Sequence, residues 1–209
     1  MLPITHLERG FPKLAAAGYE KTSDSTGPPH FLGSYNCIAW VVGDTRHGFW
    51  WPNEYGYWPW WIRREVTVEC FMKTFRSLGY WVCPSSSKEF LFDKVALYAI
   101  HRSHNPTPVP VLQGNFRDWE PTHMARQLRD GSWTSKCGGN EDITHFTLDA
   151  LESYGWRYGA GDEYGRPIIY MKRPVLFTWI VCFIQSLQWK FESIFRRFSE
   201  RQNSTRKNA

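Results

Sequence analysis

The 209-residue chain has five cysteines (Cys37, Cys70, Cys83, Cys137 and Cys182), an odd number, widely spaced and with no CxxC pair. That spacing makes neither a disulfide framework nor a zinc knuckle, so a reducing, cytoplasmic setting is expected. The opening MLPITHLERG lacks a basic region followed by an apolar run, and no secretory signal peptide is expected there. The apolar stretch that ends at Gln185 covers roughly ten residues, short of the ~20 that span a bilayer. The glycines of GAGDEYGR (159–166) lack the strand-to-helix setting of a phosphate loop and read as a turn. His101 and His104 in HRSH have no third ligand at matching spacing, so neither metal nor cofactor is expected. No groove-reading motif appears, which argues against nucleic acid as a partner. No internal repeat is visible.

Tryptophan is in excess. There are twelve, and Trp50, Trp51, Trp58, Trp60 and Trp61 crowd one short stretch. Aromatics so dense either fill a core or line a groove for an apolar or extended ligand. The net charge is +5, concentrated late: Arg196 to Lys207 carries five Lys or Arg against one Glu. Such an end attracts anionic membrane, or is simply solvated. The length suits one domain with appendages, large enough to bury a core without staples.

Periodicity organises the rest. NCIAWVV predicts a short buried helix over 37–43 with Ser34 or Asn36 at its cap and Gly43 at its end. Val68, Phe71, Met72, Phe75 and Leu78 fall at helical intervals within 65–78, and Gly79 stops that helix. YWVC (80–83) and KVALYAI (94–100) predict strands, and 102–121, with four prolines, a long connection. HMARQL and SWTSKC flank an Asp-Gly turn and read as a hairpin. DITHFTLDALESYG (142–155) reads as a helix capped by Asp142, and RPIIYMKRP as a last strand closed by Pro174. Beyond it Phe177, Ile180, Ile184, Leu187, Phe191 and Ile194 form one apolar stripe. The expected division is a domain over 1–174, an amphipathic helix over 175–198 and a basic disordered tail over 199–209.

A cysteine at a helix head, with a histidine opening a later strand, can be read as chemistry. A helix N-terminus favours the thiolate, and a neighbouring imidazole can take its proton. Cys37 and His123 are the candidates, with Thr134, Ser135 and Lys136 on the following strand as third members. Hairpin parity decides among these three. A two-residue turn puts Thr134 and Lys136 on the face of His123, and one extra residue in the turn puts Ser135 there. Each candidate also has a plain structural reading: Cys37 as a core residue, His123 bonded to a backbone carbonyl, Asn36 as a helix cap.

The blocks YNCIAW, VTVECFMKTFRSLGYWVC, KVALYA, THMARQLRDGSWTSKCGG and DITH resemble an uncharacterised, mostly bacterial family with an Asn-Cys-x-Ala-Trp helix start and a His-x-Ala-Arg-Gln strand. The layout in turn is similar to NlpC-type papain-like cysteine peptidases. That resemblance implies an α+β fold with an antiparallel sheet packed on helices, Cys37 as nucleophile, His123 as base and Ser135 in the third position. Asn36, Trp50, Trp51 and Trp58 would then line the substrate cleft. The resulting expectation is a cysteine hydrolase or acyltransferase acting on an amide, peptide or isopeptide bond. The alternative is a non-catalytic binding protein using the tryptophan-rich loop, with a protein partner or a membrane surface meeting its C-terminal helix as a peripheral contact.

Overall fold

The computed structural model describes residues 5–23, 35–44, 48–102, 116–153 and 163–176. They form a seven-stranded sheet: β1 (Tyr19–Ser23), β2 (Trp81–Cys83), β3 (Phe92–His101), β4 (Trp119–Gln127), β5 (Trp133–Lys136), β6 (Asp142–His145) and β7 (Arg166–Pro174). The order is β1-β6-β5-β4-β3-β7-β2, and every pairing is antiparallel. Four short helices accompany it: α1 (His6–Gly10), α2 (Leu14–Ala17), α3 (Cys37–Val42) and α4 (Val68–Ser77). The expected papain-like α+β arrangement is thereby corrected. This is a β-rich fold whose wide sheet is the framework, with helices as short covers.

Strand β3 is central, pairing with β4 on one side and β7 on the other. Its run Val95–Ile100 is apolar without alternation because both faces of the sheet are covered. Val95, Leu97 and Ala99 enter a first core with α3, α4 and the buried Trp50 and Trp58. Ala96 and Tyr98 enter a second core with Phe11, Leu14, Trp133, Ile143, Leu151 and Tyr164. A residue's place along its strand therefore decides which of two interiors it meets.

Two irregularities alter that assignment. On β4, Tyr98 is opposite His123 while Ala99 is opposite Pro121, so Thr122 is an inserted residue. On β7, Leu97 is opposite Ile169 and Tyr98 opposite Pro167, which inserts Ile168. Each insertion is a β-bulge, and each reverses the in-out alternation beyond it.

The helices at 37–43 and 65–78 form as Cys37–Val42 and Val68–Ser77. Asn36 and Thr67 cap them, Gly43 adopts the left-handed conformation, and Gly79 also has a positive φ. The helix expected over 142–155 does not form. Asp142–His145 is a strand paired on both edges, and among the described residues of that span only Leu148–Leu151 turns, as a single 3₁₀ turn. Pairing with β1 and β5 on both sides outweighs any helical preference of these four residues. The Asp-Gly hairpin is present in a three-residue form. Leu128 N–H donates to the Ser132 carbonyl at 2.8 Å, and Gly131 takes φ 98°. Residues 103–115 of the long connection lie outside the described residues, as do the predicted helix beyond Leu176 and the tail 199–209. Among the described residues no helix is long and apolar enough to cross a membrane.

Candidate functional site

Cys37 opens α3, is buried, forms no disulfide and packs in the first core. His123 lies on the other side of the sheet. Its ring stacks on Tyr164 at 4.0 Å with 4° between planes, and meets Tyr98 edge-on at 5.3 Å. The bulge at Thr122 is the cause. Trp119 belongs to the first core, and unbroken alternation from Trp119 through Pro121 would have turned His123 toward Cys37 as well. The sheet stands between the two side chains, and the expected Cys37–His123 pair is not assembled.

Ser135 does share the face of His123, because the three-residue turn sets Gln127 opposite Trp133. Its hydroxyl is engaged elsewhere, 3.0 Å from Nε2 of His145. His145 Nδ1 lies 2.8 Å from the Thr147 carbonyl, which can only accept. The proton is therefore on Nδ1, and Ser135 donates to Nε2. This is the hydrogen-bond order of a nucleophile, a base and an orienting group, yet Ser135 and His145 are both wholly buried. Burial holds the His145 pKa down at about 4, against the Thr147 bond and Asp149, which favour the charged form. His123 is pushed well below its ordinary value by burial, with His145 adding to the effect. Among the described residues neither ring nitrogen of His123 has a hydrogen-bond partner.

The cleft residues are also placed differently from expectation. Asn36 is a brace: its Oδ1 accepts from Ala39 N–H and Trp50 N–H, both at 3.1 Å, and its Nδ2 donates to the Trp50 carbonyl at 2.8 Å. Trp50 and Trp58 are core residues, with Trp58 packed on Phe71, and the half-buried Trp51 meets the same ring edge-on. The exposed aromatics of the loop are instead Tyr55, Trp60 and Trp61. Trp60 is 88% exposed and Trp61 51%, and their rings stand edge-to-face at 5.6 Å. Their loop is tied down by Arg64, which donates to the Asn53 and Gly56 carbonyls, and by Asn53 Oδ1, which accepts from Gly56 N–H at 2.7 Å.

Above β4 and β5 lies a polar seam that sequence reasoning did not find. Tyr35 stacks on Trp40 at 5.6 Å, and its hydroxyl donates to Asp142. Trp40 Nε1–H donates to Thr134 Oγ1 at 3.1 Å, and the Arg126 guanidinium sits 5.3 Å over the Trp40 ring. Lys136 is fully buried, lies 5.6 Å over Tyr35 and donates to the Asn140 carbonyl. Burial lowers its pKa, while the paired Asp142 favours its charge. Among the described residues no three His, Cys, Asp or Glu side chains gather closely enough to hold a metal ion; His101 packs edge-on to Trp119, and His104 lies outside the described residues.

A family profile described as a domain of unknown function, DUF7689, matches residues 25–172. The chain belongs to that family. Its matched span runs from before α3 to near the end of β7, so α3, the tryptophan loop and the β4–β5 hairpin all belong to the shared domain. No curated protein and no solved structure matches this chain.

Asn36→Ala removes a helix cap and abandons both backbone groups of buried Trp50. Urea denaturation should show a loss of about 2–4 kcal/mol, with Asn36→Asp losing less because its acceptor contacts survive.

The two histidines give the pH dependence. An unfolded histidine takes a proton near pH 6.5, whereas folded His145 resists it until about 4. The unfolded state thus binds more protons in that window, and stability falls as pH drops through it. His145 alone should account for roughly 3 kcal/mol between pH 7 and pH 4. His123→Phe should keep the stack on Tyr164, remove two polar atoms without partners and raise stability by about 1 kcal/mol at pH 7. It should also flatten the acid limb, both read from urea melts at several pH values.

Proposed function

We propose that this domain is a non-catalytic binding module that presents Trp60, Trp61 and Tyr55 to a protein partner. The observation that carries this reading is the exposed, edge-to-face tryptophan pair on a loop whose other tryptophans are locked in the core. Trp50 and Trp58 bury the ends of the loop, and Trp58 Nε1–H donates to the Arg63 carbonyl at 3.1 Å. The backbone that carries the exposed rings is therefore braced before any partner arrives, which lowers the entropy cost of binding. Tryptophan, tyrosine and arginine are the residue types that dominate protein interfaces, and Arg63 and Arg64 flank the pair. Each large aromatic can bury about 150–250 Å², so three of them supply more than half of the roughly 800 Å² a standard interface takes from one side.

The cysteine-hydrolase expectation has less support. It requires Cys37 and a base on one side of the sheet, and His123 is turned into the opposite core. The discriminating experiment compares the full chain with Trp60→Ala/Trp61→Ala. Both should melt within a few degrees of each other, because neither ring is part of a core. A partner retained by the parent, then purified and titrated, should bind the double variant at least about 100-fold more weakly, as expected when two interface anchors are lost. Unchanged affinity would overturn the assignment of this surface. Selective modification of Cys37 by a thiol activity probe at neutral pH, faster than Cys70 or Cys83, would favour the hydrolase instead.

A further inference from the structure

Three neighbouring strands bring two arginines and one acid to the face of the sheet that meets α3 and α4. Met124, Val95 and Met171 of the first core mark that face, and strand alternation extends it to Arg126 on β4, Asp93 on β3 and Arg173 on β7. Asp93 is opposite Arg173, and Arg126 is opposite Val95, the next residue on that face of β3. Each guanidinium lies over an aromatic ring. Arg126 is 5.3 Å from the Trp40 centroid, and Arg173 is 4.5 Å from that of Tyr80. Trp40 closes the YNCIAW block and Arg126 belongs to the THMARQL block, so helix start and strand meet at this point.

The charges here are not balanced. Arg173 is 5% exposed, and one of its terminal N–H groups donates to the Leu78 carbonyl at 3.2 Å. Its Nε lies 3.6 Å from Asp93 Oδ2, an ion-pair distance too long for a hydrogen bond, and has no hydrogen-bond partner among the described residues. Arg126 is half-buried, and among the described residues its guanidinium has neither a hydrogen bond nor an ion pair. A ring beneath a guanidinium engages its face and leaves its N–H groups open. Burial lowers the Arg126 pKa; Tyr80 and Asp93 oppose that, and Arg173 adds to it. Two cations against one carboxylate leave one positive charge uncovered, a costly arrangement away from water.

We infer that Arg126 and Arg173 form a recognition site for a small carboxylate ligand, held on the sheet face between Trp40 and Tyr80. Arg126 takes the carboxylate through its fork of N–H groups, and Arg173 supplies the second charge from the interior. The two rings flank the apolar part of the ligand. A single negative charge completes the count, whereas a phosphate dianion would exceed it beside Asp93. The site uses none of Trp60, Trp61 and Tyr55, so it stands or falls separately from the protein-binding surface.

The test titrates the full chain with benzoate, benzamide and inorganic phosphate by calorimetry at constant ionic strength. Benzoate should bind with a Kd of about 1 mM or tighter. Benzamide keeps the shape without the charge, and it and phosphate should each bind at least about tenfold more weakly. Arg126→Lys keeps the charge without the fork and should weaken benzoate at least about tenfold, and Arg126→Gln should weaken it further. Both variants should melt within a few degrees of the parent, because Arg126 has no hydrogen bond or ion pair to lose. Absence of benzoate binding at about 50 mM, or equal affinity in parent and Arg126→Gln, overturns the site. Equal binding of benzamide rules out recognition of the charge, and tighter binding of phosphate rules out the carboxylate.

Discussion

Coverage of the sheet on both faces is the constraint on which the other features depend. Beta-three has neighbours on both edges and a core on either side, so each of its residues is committed to one interior. Beta-four inherits that commitment through its pairing with β3, and β5 inherits it from β4 through the hairpin. A single inserted residue is then enough to exchange interiors. Thr122 is that residue, and its hydroxyl is secured to the Tyr164 carbonyl at 2.6 Å, which fixes the bulge from outside the ladder. Tyr164 in turn supplies the ring that covers His123. The bulge and the cover of His123 therefore depend on each other.

The two interiors differ in chemistry. The first is aromatic and aliphatic, built by α3, α4 and the tryptophan loop, and hydrophobic burial dominates it. The second contains Tyr98, His123, Ser135 and His145, and its energetics depend on satisfying polar groups. Tyr98 donates to the Leu148 carbonyl at 2.6 Å, and Ser135 and His145 satisfy each other. Among the described residues His123 has no such partner, and two tyrosine rings cover it. Neutral imidazole is the form this interior tolerates, so the face that stabilises the domain at neutral pH weakens it in acid.

What could be read from the sequence was local. Asn36 as a cap, Gly43 and Gly79 as stops, the apolar stripe of α4 and the Asp-Gly hairpin all follow from residues a few positions apart. What could not be read was parity over distance. One residue more in the turn at Arg129–Gly131, or in β4 at Thr122, leaves composition and pattern almost unchanged while moving Ser135 and His123 between faces. The strand at Asp142–His145 was missed for a related reason: its partners, Tyr19–Ser23 and Trp133–Lys136, are distant in the chain or across a turn. The tryptophan loop was half legible. Its density announced burial, but which rings point inward depends on Asn36, Asn53 and Arg64 closing the loop.

The blocks that most suggested catalysis also hold the domain together. In the helix start, Asn36 braces the Trp50 backbone, Ala39 is small enough to be fully buried, and Trp40 donates to Thr134, whose hydroxyl donates onward to the Ile143 carbonyl at 3.0 Å. In the strand, His123 fills the space between Tyr98 and Tyr164, and Ala125 lets the second core close over β4. Arg126 lies on the Trp40 ring, and Gln127 ties the hairpin to the Ser86 and Gly131 carbonyls. The two blocks thus meet as partners: Trp40 of one is held between Tyr35, Arg126 and Thr134 of its surroundings. A cysteine at the head of such a helix is carried to the sheet by these contacts whether or not any base awaits it. Alternation beyond the bulge turns His123 the other way.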